Sequence, residues 1–272
     1  MLIIDAHTHI FPDDSAARIL ENTSKTFNVP TYGKGTAADL LARMDDNGIT
    51  YAVIHMVSPT HAGVHPANTW LINLKQDRFI KFGTIHPLLK NLSHELDRLQ
   101  DHNINGVKLQ PEVQGFTVDD STITYHLYEA LAKRQMTVMF HVGGNPKPTP
   151  HNRSKPHMIL SVAKDFPELK IIAAHLGGNN MWDSVYDLLA GTENVYMETS
   201  LSYDKIAPNL AQNIIKKHGH NKIFFGTDYP FAPINKSVKI AKAVPFLNNS
   251  EKEEILGRNA FQFFLASSLK QT

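Results

Sequence analysis

The sequence predicts an α/β protein: a single (β/α)8 TIM barrel over residues 1–272, finished by an extra C-terminal helix. Three observations predict it. Eight short apolar runs recur along the chain, and amphipathic stretches separate them. Dividing 272 residues among eight units leaves about 34 per unit, close to the ~30 that one strand–helix–strand unit needs. The rival topology, an open doubly wound sheet, lacks its glycine-rich phosphate loop after the first strand.

The strands read as Leu2–His7, Tyr51–Val57, Ile80–Ile85, Gly106–Leu109, Thr137–His141, Lys170–His175, Val195–Glu198 and Lys222–Gly226. Most lack polar alternation, as buried parallel strands covered by helices do. Thr36–Met44 opens on a threonine cap and ends near Asn47-Gly48, a helix-stop and turn signal. Ser93–Leu99 and Ser121–Arg134 carry apolar residues at three- and four-residue spacing. Lys155–Asp165, Trp182–Leu189, Lys205–His218 and Asn235–Val244 fill the remaining gaps. Ser250-Glu251-Lys252-Glu253 reads as a capping box opening the C-terminal helix, which runs to Phe264. Two connections are long, Phe11–Gly35 and Gly143–Pro156, and proline recurs too often in the second for a helix or central strand. Both follow a strand. In a barrel they therefore lie on the C-terminal face, where active sites sit.

Composition narrows the function. The chain is 42% hydrophobic and 19% charged, an ordinary globular balance. Lys plus Arg total 27 against 26 Asp plus Glu, so no basic surplus exists to neutralise a phosphate backbone and no nucleic-acid partner is expected. No apolar run approaches the ~20 residues of a membrane span, so no membrane partner is expected either. Cysteine is absent, which removes disulfides, thiolate zinc sites and cysteine nucleophiles together. Met1–His7 has neither a basic region nor a long apolar one, so the expected compartment is the cytoplasm. A Gly-x-Ser-x-Gly elbow, a Walker P-loop and a His-Glu-x-x-His helix are all missing, and with them serine hydrolase, NTPase and zincin chemistry.

What stands out is histidine: 15, against 2 Trp and 8 Tyr. In Asp5-Ala6-His7-Thr8-His9, two imidazoles at i and i+2 of an extended segment project to the same side. They can grip one metal ion through ring nitrogens. The fifth and sixth strands end at His141 and His175, and Asp228 stands just past the end of the eighth. In a closed barrel the eighth strand lies beside the first, which brings Asp228 next to His7 and His9, and His141 reaches in from the opposite wall. A lone strand-end His is usually a buried, hydrogen-bonded residue. Five such positions on one rim favour a metal site, and His–His–His–Asp suits one divalent ion such as zinc, manganese or iron.

Taken in order, Asp5-Ala6-His7-Thr8-His9, Gly106-Val107-Lys108-Leu109, His141, His175-Leu176-Gly177-Gly178 and Gly226-Thr227-Asp228-Tyr229-Pro230 resemble the amidohydrolase superfamily. Within it the chain is most similar to the amidohydrolase-related branch (amidohydrolase family 2) that contains aminocarboxymuconate-semialdehyde decarboxylase. Ile255-Leu256-Gly257-Arg258-Asn259-Ala260 is similar to that branch's closing helix, and the resemblance spans essentially the whole chain. It implies His7, His9, His141 and Asp228 as ligands of one metal, usually zinc. It also implies His175 beside the metal-bound water as a polarising or proton-handling group, with Asp228 doubling as the base. A bound divalent ion can lower the pKa of water from 15.7 to about 7, and a carboxylate can take that proton and pass it on.

Lys108 has two readings. In binuclear relatives a carboxylated lysine at this barrel position bridges two metals. The reading favoured here is a plain lysine that pairs with a carboxylate such as Glu112 or binds an anionic substrate. Many relatives read Gly-x-Lys-x-His-Pro, and here Gln110 replaces that His. Glu198 either hydrogen-bonds a ligand His or faces solvent at the rim. His55 and His86 either line the pocket or are satisfied core and rim residues. Arg153 and Lys147, in the proline-rich loop, are candidates to hold a substrate carboxylate, and Trp182 reads as helix packing. The first functional expectation is a metal-dependent hydrolase of a small, carboxylated amide, ester or lactone. The alternative is a metal-dependent nonoxidative decarboxylase of a small unsaturated or aromatic carboxylic acid, and a second alternative is a metal-free binding barrel. The expected partner is a small-molecule substrate, and pairing into a homodimer is expected only by analogy with other barrels.

Overall fold

The eight apolar runs form eight strands: β1 (Ile4–His9), β2 (Tyr51–His55), β3 (Phe79–Thr84), β4 (Gly106–Leu109), β5 (Thr137–Phe140), β6 (Lys170–Ala173), β7 (Val195–Glu198) and β8 (Ile223–Phe224). They pair in chain order and in parallel. This computed structural model describes residues 1–145, 147 and 151–266. The first and last strands are joined by main-chain bonds. Ala6 N–H donates to Phe225 O at 2.7 Å, His9 N–H to Tyr229 O at 2.7 Å and Asp228 N–H to His7 O at 2.8 Å. Asp5, fully buried, accepts from Thr227 N–H at 2.9 Å and from Thr227 Oγ1 at 2.6 Å. The result is a (β/α)8 barrel.

β1 runs two residues beyond the expected His7, and its register against β2 shifts between Asp5 and Thr8. Asp5 faces Ala52 but Thr8 faces Ile54, so β1 fits two residues where β2 has one. Ile4 and Ala6 belong to the cluster that fills the barrel interior. Strict alternation would then turn His7 and His9 outward. The extra residue reverses the parity and turns both inward.

That interior cluster contains Val53, Phe82, Met139, Ile172 and Phe224 as well. Gly106 makes room for it: a Cβ there would strike the Phe82 ring. Leu2, Tyr51 and Ile80, at the strand starts, pack on the cluster together with Phe261, Phe263 and Phe264 of the C-terminal helix. That helix therefore covers the end of the barrel opposite His9 and Asp228. The larger core lies outside the strands, between them and the surrounding helices.

Those helices are α1 (Ala16–Phe27), α2 (Ala37–Asn47), α3 (Val64–Asn73), α4 (Leu92–Asp101), α5 (Pro111–Gln114), α6 (Tyr125–Lys133), α7 (Pro156–Asp165), α8 (Trp182–Ser184), α9 (Pro208–His218), α10 (Ile234–Ala243), α11 (Asn249–Glu253) and α12 (Asn259–Phe264). Thr36 caps α2 as expected, accepting from Asp39 N–H at 3.3 Å, and Gly48 closes it in the left-handed conformation. Three differences appear. The Phe11–Gly35 connection contains α1, whose inner face is only Ala16 and Leu20. α3 was not legible because its buried face, Val64, Asn68, Leu71 and Ile72, includes an asparagine. The C-terminal helix is capped by Asn248, not Ser250, with Glu251 as the reciprocal partner. It runs on through a π-helical turn, Glu254–Arg258, into α12. Of the Gly143–Pro156 connection, residues 146 and 148–150 lie outside the described residues.

Candidate metal centre

The bulged end of β1 brings His7 Nε2 within 3.1 Å of His9 Nε2. Asp228 Oδ1 lies 3.4 Å from the first and 3.3 Å from the second. Three ligand-type atoms from the two ends of the chain thus share one small volume. Asp228 reaches it from a left-handed backbone (φ 67°), as does His175 beyond β6 (φ 60°). Non-glycine residues adopt that region at a cost of roughly 1–2 kcal/mol. Trp182, buried as packing predicted, donates Nε1–H to His175 O at 3.1 Å and helps hold that turn.

His141 joins through a neighbour. Its Nδ1 is 2.9 Å from His175 Nε2, while its own Nε2 is buried without a hydrogen-bond partner. Burial holds His7, His55 and His175 well below the ordinary imidazole range and pushes His141 down to about 3. At neutral pH these rings are uncharged and keep a lone pair. Buried polar nitrogens rarely stay unpaired. The two imidazoles and the carboxylate of His7, His9 and Asp228 fit a borderline divalent cation, and His7, His175 and Glu198 form a second such group; among the described residues, His141 belongs to neither group.

The sequence model of the amidohydrolase family matches residues 4–265. The chain belongs to the amidohydrolase family. No curated protein matches its sequence significantly. Among solved structures, 5-carboxyvanillate decarboxylase from Sphingomonas paucimobilis superposes with a TM-score of 0.72 at 14% identity, covering 97% of this chain and 98% of its own. An uncharacterised TIM-barrel protein from Bordetella bronchiseptica gives 0.72 at 20% identity, covering 96% and 98%. A dihydroxybenzoic acid decarboxylase from Polaromonas sp. JS666, with bound manganese and the inhibitor 2-nitroresorcinol, gives 0.69 at 15% identity, covering 97% and 96%. At these identities the likeness establishes the fold.

Around these ligand-type atoms of the amidohydrolase, the expected residues divide. Lys108 is buried with Nζ 3.3 Å from His7 Nε2, and desolvation pulls its pKa down to about 8. Its expected partner Glu112 instead accepts the Arg153 main-chain N–H at 2.6 Å. Glu198 is buried, not solvent-facing, and accepts from His7 Nδ1 at 2.8 Å. The His55 ring lies 5.1 Å from that of His7 and donates Nε2–H to Ala6 O at 3.2 Å. Both nitrogens of His86 are taken by main chain: Gln114 O at 3.1 Å and Leu88 N–H at 3.1 Å. Among the described residues, neither His86 nor Arg153 shares a hydrogen bond with the cluster. Both ring nitrogens of His175 are engaged, by His141 and Ser200, which makes it a link between residues and not a free acid.

Three participants went unnoticed in the sequence. Ser200 Oγ lies 2.8 Å from Glu198 Oε1 and 2.9 Å from His175 Nδ1. Thr227 is the partner of Asp5, whose carboxyl burial pushes up to about 7. Phe231 sets its ring 5.9 Å from that of His9. A signal existed for Ser200: Glu198 and Ser200 stand two apart, the same spacing that exposed His7 and His9.

Proposed function

We propose that this amidohydrolase is a metal-dependent, nonoxidative decarboxylase of a small aromatic or unsaturated carboxylic acid. The observation that carries the reading is Lys108. It is a buried cation beside the candidate metal centre, with an uncharged imidazole at 3.3 Å and, among the described residues, no carboxylate within 4.0 Å; Glu198 and Asp228 attract it only from farther off. A buried charge with no direct ion pair is costly, and a substrate carboxylate would supply a counter-charge in contact. Support also comes from proteins of the same fold named as decarboxylases of 5-carboxyvanillate and 2,6-dihydroxybenzoate.

His7, His9, His141 and Asp228 would hold one divalent ion, zinc or manganese, which supplies a Lewis-acid charge that draws in and polarises an acid's oxygens. Lys108 then fixes the carboxylate from the side of His7. Phe231 offers an apolar face to the ring or double bond. Asp228 would take a proton from water and pass it to the carbon bearing the carboxylate; the carbon–carbon bond then breaks, its electrons return to the substrate and carbon dioxide leaves. His175 acts from behind His141, as a polarising group held by Ser200. The hydrolase reading uses the same residues, with Asp228 taking its proton from water.

The test is a parallel screen of phenolic carboxylates, unsaturated acids, lactones and amides with metal-loaded protein, following carbon dioxide and ring opening. Carbon dioxide from an acid, abolished by a chelator and restored by zinc or manganese, is the expected result. Hydrolysis with no carbon dioxide from any acid overturns the proposal.

A further inference from the structure

We infer that Ser200 is a positioning residue that relays the buried Glu198 carboxylate to His175, and through His175 fixes His141 with its Nε2 lone pair free. The inference rests on the metal-centre reading above.

The argument counts protons. Glu198 Oε1 faces three donors: His7 Nδ1 at 2.8 Å, Ser200 Oγ at 2.8 Å and His175 main-chain N–H at 2.9 Å. Its Oε2 accepts from Ser200 main-chain N–H at 2.7 Å. A carboxylate only accepts, so His7 carries its proton on Nδ1 and turns an Nε2 lone pair toward His9 and Asp228. The Ser200 hydroxyl owns one proton and gives it to the carboxylate, the strongest acceptor in reach. Only lone pairs then remain on Oγ, 2.9 Å from His175 Nδ1 and 3.2 Å from His7 Nδ1, whose proton has its shorter bond, 2.8 Å, to Glu198. Ser200 main-chain O, another pure acceptor, is 3.3 Å from the same nitrogen. His175 must therefore hold its proton on Nδ1.

The remainder follows along the chain of rings. His175 is fully buried, and an uncharged imidazole carries a single ring proton. Its Nε2 is thus an acceptor, 2.9 Å from His141 Nδ1, which must donate. His141 is left with a bare Nε2, the atom that is buried with no partner. One carboxylate so sets three rings: His7 directly, His175 and His141 through a serine. Partners of this kind typically contribute 10- to 100-fold in metal affinity.

The test uses metal-free protein labelled with 15N-histidine, in which long-range proton–nitrogen correlations separate the Nδ1–H from the Nε2–H form. Peaks are assigned by His7→Gln, His141→Gln and His175→Gln. In the unaltered protein all three rings are expected in the Nδ1–H form. In Ser200→Ala, His7 is expected to keep it while His175 and His141 become mixtures. Zinc affinity, measured by competition with a chelating dye, should fall about 10-fold. Ser200→Thr, which retains the hydroxyl, should restore both. Unmoved His175 and His141 signals in Ser200→Ala overturn the inference, as does a His141 found as Nε2–H in the unaltered protein. A His7 signal that moves with them also overturns it, since general loosening then explains the change. If the spectra are as described but the unaltered protein takes up no stoichiometric zinc, the relay stands and the metal-centre reading falls.

Discussion

Glu198 serves four donors with two oxygens, and its position shows how single side chains govern this site. The meeting of His7, His9 and Asp228 was legible because a closed barrel sets the end of its eighth strand beside its first. Ser200 was marked only by its two-residue spacing from Glu198, because the partners of a hydroxyl show only once its neighbours are placed. His7→Ala should reduce bound metal from one ion per chain to under about a tenth, read by elemental analysis of protein purified without chelator. Lys108→Met should raise KM for a carboxylated substrate roughly 10- to 100-fold, the equivalent of a charge-assisted bond of ~1.5–3 kcal/mol. Titration supplies a third outcome. His141 is pushed down to about 3 and His218, far from the site, to about 4, each chiefly by burial. Between those values and the ordinary ~6.5, the unfolded chain binds more protons than the folded one. Stability is therefore present above about pH 6.5 and lost as pH falls. Asp5, raised to about 7, opposes this from a single site, against the lowered His7, His55, His141, His175 and His218. Urea midpoints of metal-free protein should fall steadily from pH 7 to pH 5.

Local conformation decides where those side chains point. Period-two reasoning placed His7 and His9 on one face correctly. It could not say which face, because the added residue in β1 has no mark in the sequence. Strands with uniform apolar character were found nearly in full, whereas α1 and α3 were hidden by polar residues on or beside their inner faces. Asn68 is an example: buried in α3, it donates to Thr84 O at 2.9 Å and to Glu95 at 2.7 Å, bonds that only the folded chain makes. Gly226 is the sharpest test at this scale. A Cβ there would collide with Glu198 Oε2 and press on His7, so Gly226→Ala should destabilise by ~1–3 kcal/mol in denaturant melts and weaken metal binding with it. Asn248→Ala, at the other end of the barrel, should cost about 1 kcal/mol through the lost cap while leaving metal affinity unchanged.

The barrel as a whole was readable because eight repeats of one strand–helix rhythm admit few other arrangements. Its lower closure by Phe261, Phe263 and Phe264 was not, since nothing in a helical pattern says which end of a sheet it will cover. Metal should stabilise the entire fold. Zinc at 100 times its Kd adds ~2.7 kcal/mol, an increase in Tm of about 5 °C or more by calorimetry. The direction of that effect has a geometric source. Thr227 and Asp5 are 222 residues apart in sequence, and their strands meet along the one seam where the sheet's beginning finds its end. His7 and His9 lie on one lip of that seam and Asp228 on the other. On the metal-centre reading a cation seated there would work as a stitch, and metal-starved protein is expected to open at this last join and be cut sooner by proteases. On that reading ion supply would govern how much of this protein survives, before any question of turnover arises.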